Sequence, residues 1–227
     1  MVKRMIQSFL KNYSDAVCLD DNEFDQFFDS GTKRADFSLY EGLVICECKE
    51  IVELFVAKSA ERLARKNVAS KVNFKRDFYN SIRKTLSYSN AQILETKKAL
   101  SAPHALGLVI VENLMPSDIS VLTLIDAANE KMRDGLESVD GILCLDSVNT
   151  FIGNAGEVFH LIQLVMRDTE RSNRLSHLVD KLEKDFAKYN NASIFQGHDV
   201  STADQKWLLD EDDRYKKYEA VIKLKDK

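Results

Sequence analysis

A chain of 227 residues, 44% hydrophobic and 30% charged, reads as one well-packed soluble domain with room for an appendage. No apolar run approaches the roughly 18 residues that span a bilayer, and Met1-Val2-Lys3-Arg4-Met5-Ile6-Gln7 lacks the apolar core of a secretory leader, so a cytoplasmic location is expected. A net charge of −4 argues against a protein that coats nucleic acid indiscriminately.

Met5, Ile6, Phe9, Leu10 and Tyr13 recur at helical spacing over 3–13. Asp20-Asp21-Asn22 offers an N-cap for a short helix over 23–28, broken by Ser30-Gly31-Thr32; alternatively 24–30 form a strand. A hairpin follows from Asp36 to Lys49. Residues 51–66 read as helix and 67–73 as loop. A longer helix over 75–100 carries Phe78, Ile82, Leu86, Ile93 and Leu100 on one stripe, and Ser101-Ala102-Pro103 ends it. Leu106 to Val111, Gly141 to Leu145 and Val158 to Met166 are apolar enough for buried strands. Residues 117–134, with Ser117 as a candidate N-cap, and 169–189 read as amphipathic helices. The order gives an α/β fold, a mixed sheet flanked by helices. A core over 1–166 is expected, with 167–227 a helical C-terminal extension packed on it. Trp207, Leu208, Tyr215, Tyr218 and Ile222 are its possible anchors.

Cys18, Cys46, Cys48 and Cys144 form no Cys-x-x-Cys pair and read as reduced, small hydrophobes. His104, His160, His177 and His198 lack ligand spacing, so zinc is not expected. No glycine-rich phosphate loop and no Gly-x-Ser-x-Gly elbow is present.

Chemistry concentrates in the hairpin. Leu43 to Cys48 reads as a buried strand, yet Glu47 and Lys49 lie in or beside it, two apart and so on one face. Glu41-Gly42 is a plausible two-residue turn, because Gly accepts positive φ. That turn sets Tyr40 against Leu43 and, counting back, Asp36 against Glu47. Opposed Cβ atoms lie roughly 4.5–5.5 Å apart, so the two carboxylates repel unless a cation intervenes. A divalent ion with hard oxygen ligands answers that conflict, as does Lys49. Surface ion pairs, Glu47 with Lys49 or Asp36 with Arg34, are the alternative.

Asp36 followed by Glu47-Cys48-Lys49 at the end of the next strand resembles the signature of the PD-(D/E)XK nuclease superfamily. Ala35-Asp36 stands where Pro-Asp is usual. The order helix, strand meander, helix, strand is similar too, over about residues 20–146, although the first meander strand is not visible. The resemblance implies a restriction-endonuclease-like fold and a phosphodiester hydrolase, most simply a DNA endonuclease of restriction, defence or repair type. It implies Mg²⁺, with Mn²⁺ as a substitute, held by Asp36, Glu47 and the carbonyl of Cys48, while Lys49 orients or activates water. It also implies a glutamate from the first helix, for which Glu23 is best placed, with Asp21 and Asp25 competing and helix capping as the plain alternative. A polar residue on the following helix is implied as well, and Gln92 resembles it. Cutting both strands would need two sites and hence a homodimer.

Between Lys58 and Lys84 nine basic residues face only Glu61 and Asp77, a local charge of +7. Lys58, Arg62, Arg65, Lys66, Lys75, Arg76, Arg83 and Lys84 are thus candidate phosphate-backbone contacts, or a solvated helix face. The rival function is a non-catalytic nucleic-acid-binding or protein-interaction module of the same fold.

Overall fold

The computed structural model describes residues 5–52, 71–114, 121–152, 158–190 and 193–196, the side chains of 5, 71–78, 148–161 and 193–196 excepted. Among the described residues seven strands form one mixed sheet whose spatial order follows chain order. They are β1 (Ala16–Cys18), β2 (Phe37–Leu39), β3 (Val44–Ile51), β4 (Leu106–Asn113), β5 (Gly141–Ile152), β6 (Val158–Met166) and β7 (Ser193–Gln196). The helices are α1 (Met5–Leu10), α2 (Lys71–Ala99), α3 (Val121–Arg133) and α4 (Glu170–Asn190), with a 3₁₀ segment at Asn22–Phe27. β1, β2 and β3 form an antiparallel meander, and β3, β4 and β5 run parallel. β6 returns antiparallel to β5, and β7 lies parallel to β6. The chain is therefore α/β with a mixed open sheet flanked by helices, as its element order suggests.

β4 lies at the centre because all eight of its residues are buried, which requires cover on both faces. On one face Ile45, Ile51, Val109, Val111, Ile142 and Cys144 pack against Ile82, Leu86 and Ile93 of α2 and Val121, Leu124 and Met132 of α3. On the other, Val44, Cys46, Cys48, Leu108, Ile110 and Leu143 meet Ile6, Phe9 and Leu10 of α1 and Leu175, Val179, Leu182 and Phe186 of α4. Strand alternation then turns Glu47 and Lys49 toward α2. Cys46, Cys48 and Cys144 are buried and unbonded.

The hairpin forms as its turn residues ask. Leu43 N–H donates to the Tyr40 carbonyl at 3.1 Å, and the central residues Glu41 and Gly42 have φ of 55° and 88°, the type I′ pattern. Phe37 consequently pairs with Cys46 and Leu39 with Val44, the register that sets Asp36 across from Glu47. Gly107 of β4 is required for another reason. A Cβ there would lie 1.9 Å from the Ser138 carbonyl oxygen.

Several expectations are corrected. α2 begins at Lys71, so 71–73 are helix rather than loop, there being no Gly or Pro in Lys71-Val72-Asn73-Phe74 to stop it. The first meander strand is β1, and Asn22–Phe27 is 3₁₀ rather than strand. β1 spans three residues with Val17 outward, too short to show alternation. β5 runs on to Ile152 through a register shift between Asp146 and Thr150. Beyond residue 166, α4 packs its apolar face on the core, while β7 joins the sheet as a strand where only helix was expected. Ile51 closes β3 rather than opening the helix expected over 51–66; residues 53–66, Ser117 and the anchors after residue 200 lie outside the described residues. No described helix is long and apolar enough to cross a membrane.

Candidate active site

Asp36 sits one residue before β2, beyond the last ladder pair, and its Oδ2 accepts the Cys48 backbone N–H at 2.7 Å. That bond fixes a half-buried carboxylate beside the strand that carries Glu47. Glu47 is fully buried. Its Oε1 takes a short hydrogen bond from the Lys49 ammonium, and its Oε2 is buried with no hydrogen-bond partner among the described residues. Lys49 keeps 27% of its side chain exposed, so the cluster opens to solvent at the ammonium.

The electrostatics follow from this placement. Burial first, and the charge of Asp36 second, push the Glu47 carboxyl up to about 7, against the opposing pull of Lys49. Burial also raises Asp36, while the Cys48 N–H and the Lys49 charge resist the shift. An orphaned buried carboxylate oxygen ordinarily costs about 1–3 kcal/mol, more for a charged group.

α2 supplies the roof. The Gln92 carboxamide accepts from Lys49 Nζ at 3.2 Å and donates to the Arg34 carbonyl at 3.0 Å. One turn along, Thr96 Oγ1 accepts the Ala35 N–H at 2.8 Å. The two residues preceding Asp36 are thereby tied to the helix that holds Lys49. Arg34 itself pairs with Asp25 at 2.8 Å and Asp20 at 3.3 Å, and its guanidinium lies over the Phe28 ring.

The structure thus gathers Asp36, Glu47, Cys48, Lys49 and Gln92. It does not gather Glu23, which is exposed on the 3₁₀ segment; no hydrogen bond or ion pair joins it to the cluster among the described residues. Asp20, rather than Glu23, Asp21 or Asp25, is the acidic group whose charge is felt at Asp36. Asp36 does not pair with Arg34, which is engaged by Asp20 and Asp25. Among the basic residues, Arg83 pairs with Glu130 of α3 and with Asp134 just beyond its end, so its charge is engaged between α2 and the end of α3. Lys84 is exposed. Lys75 and Arg76 lie on α2 with their side chains outside the described residues, and Lys58, Arg62, Arg65 and Lys66 lie wholly outside them. Among the described residues no three His, Cys, Asp or Glu side chains are grouped as a metal cage. Sequence reasoning missed the anchoring role of Thr96, whose only signal is its place one turn after Gln92. No protein-family model matches the chain, and no curated protein or solved structure matches it significantly.

Proposed function

We propose that the chain is a Mg²⁺-dependent nuclease of the PD-(D/E)XK type, most simply an endonuclease acting on DNA. The observation that carries this reading is the unpartnered Glu47 Oε2, buried beside Asp36 and within the reach of Lys49. Mg²⁺ is commonly held by one or two carboxylates, with water and substrate phosphates completing its shell, so the lack of a three-residue cage does not count against it. The donors are hard oxygens of Asp36 and Glu47, with the Cys48 carbonyl as a third, and Mn²⁺ suits the same set. The order α1, meander β1–β3, α2, β4 supports the finer fold assignment to the restriction-endonuclease-like class.

When bound, Mg²⁺ would supply a Lewis acid for the phosphoryl oxygens. The chain's own residues do the rest. Asp36 and Glu47 provide the negative charge that selects a cation over a neutral ligand. Lys49, at the exposed end of the cluster, holds a scissile phosphate oxygen or orients the attacking water. Gln92 keeps the ammonium in place by accepting one of its protons, and Thr96 holds the strand entry from which Asp36 projects. Deprotonated Glu47 is the form that holds a cation, so burial that pushes the metal-free carboxyl up to about 7 makes cation binding stronger as the pH rises through that value.

The test is a cleavage panel of plasmid, linear and single-stranded DNA with Mg²⁺, run beside Lys49→Ala. The reading predicts cleavage by the wild type and a loss of roughly 10²–10⁴-fold in the variant. Equal degradation by both would identify a contaminant, and no cleavage by either would leave the non-catalytic module.

A further inference from the structure

α2 presents one outward stripe, Lys84, Tyr88, Ala91 and Glu95. Tyr88 is out of place there. It is 52% exposed, no hydrogen bond to its hydroxyl is formed among the described residues, and Tyr is a poorer helix former than the Lys, Glu or Ala around it. Two ammonium groups converge on its ring, each 5.6 Å from the centroid: Lys84 from the preceding turn and Lys33 from the loop before β2. Neither ammonium pairs with a carboxylate among the described residues, whereas Arg83, the residue before Lys84, is paired with both Glu130 and Asp134. With no carboxylate holding them, both ammonium groups lie over an exposed ring, and a stacking base would take their place there and receive them at its flanking phosphates.

Its position ties it to the candidate active site. Tyr88 and Gln92 are separated by one helical turn, about 5–6 Å between Cβ atoms. Gln92 accepts from Lys49 and donates to the carbonyl of Arg34, the residue after Lys33. The ring, the two lysines and the acidic cluster therefore share one continuous edge made by α2 and the 33–36 segment.

We infer that Tyr88, Lys33 and Lys84 form a platform that stacks an unpaired base and holds its flanking phosphates, so that the preferred nucleic acid is single-stranded or carries a single-stranded segment next to the cut. Bases inside a duplex are already stacked on their neighbours and cannot present a face to a protruding ring. An unpaired base can, whatever its identity, because every base has a π-face. The inference rests on the nuclease reading for its biological sense, though the platform is a binding claim and is tested without chemistry.

The experiment measures fluorescence anisotropy of a labelled single-stranded DNA oligonucleotide and of the same sequence as a duplex. The full chain is used in EDTA, with Tyr88→Ala, Tyr88→Phe, Lys33→Ala and Lys84→Ala. The platform predicts that Tyr88→Ala weakens single-strand binding by roughly 5- to 100-fold and leaves duplex binding within about twofold. Tyr88→Phe retains single-strand affinity, and each lysine variant reduces the salt slope by about one. Unchanged single-strand affinity in Tyr88→Ala, an equal loss on duplex, or no binding by the wild type overturns it. Tyr88-dependent binding without Mg²⁺-dependent cleavage would sink the nuclease reading alone. Cleavage that ignores Tyr88→Ala on single strands would sink the platform alone.

Discussion

Two buried acidic groups in this protein look alike by composition and behave oppositely. Asp140, at the start of β5, is fully satisfied. It accepts the Gly107 N–H at 2.8 Å and both an Nε and an Nη of Arg171 at 2.8 and 2.9 Å, and the Lys97 ammonium stands 4.0 Å away while donating to the Ser138 carbonyl. These bonds join α2, the starts of β4 and β5, and α4. Glu47, in β3, has one ammonium on one oxygen, a carboxylate neighbour, a weak pull from the Asp36 backbone N–H, and no full hydrogen bond to the other oxygen among the described residues. The first is a staple whose charges are used up in holding elements together. The second is a cluster with unmet demand, which is the physical mark of a site that expects a ligand.

Breaking each should separate them. Asp140→Ala leaves Arg171 and Lys97 without their counter-charge and Gly107 N–H without an acceptor. It should cost about 3 kcal/mol, the lower end for a broken buried pair because Arg171 is partly exposed, seen as a lowered urea midpoint with unchanged slope. Glu47→Gln should do the reverse. Stability stays level or rises, while Mg²⁺-dependent cleavage falls by at least about 100-fold. A Glu47→Gln protein as damaged as Asp140→Ala would mean that both clusters are structural.

The pH dependence sharpens the contrast. Glu47 titrates near 7 when folded and near 4.5 as an ordinary carboxyl, so between those values the folded state holds a proton that the unfolded chain has released. Raising the pH across that window lowers stability, by at most about 3 kcal/mol for this group. Glu47→Gln should flatten that part of a metal-free stability profile. Burial lowers Lys97 to about 8 from 10.5, so its contribution runs the other way, with stability rising from about pH 8 to 10.5. Thr96→Val gives the smallest expected effect, about 1–3 kcal/mol from the orphaned Ala35 N–H, together with a lowered kcat as Asp36 loses its anchor.

The sequence shows the Asp36–Glu47 apposition because it is a local consequence of one turn. Glu41-Gly42 selects the hairpin type, the type fixes the register, and alternation fixes the face. The α2 stripe of Ile82, Leu86 and Ile93 is equally local. What the sequence conceals is tertiary. Arg83 sits in a basic run, and only the crossing of α2 and α3 reveals that Glu130 and Asp134 neutralise it. Glu23 and Asp20 are indistinguishable by spacing, and the path of the chain around Arg34 decides which one is felt at Asp36. β1 is held by its neighbour β2 rather than by its own pattern, and so leaves no periodic trace. Tyr88 reads as a surface residue until the contacts of Lys33 and Lys84 are on view.

The central claim is that Asp36 and Glu47 jointly hold a divalent cation. Its most direct test is the melting temperature of the wild type, Asp36→Asn and Glu47→Gln with and without Mg²⁺ at pH 8. The account predicts a rise on adding Mg²⁺ to the wild type that disappears in both variants. An unchanged wild-type melting temperature, or an equal rise in all three proteins, would contradict it.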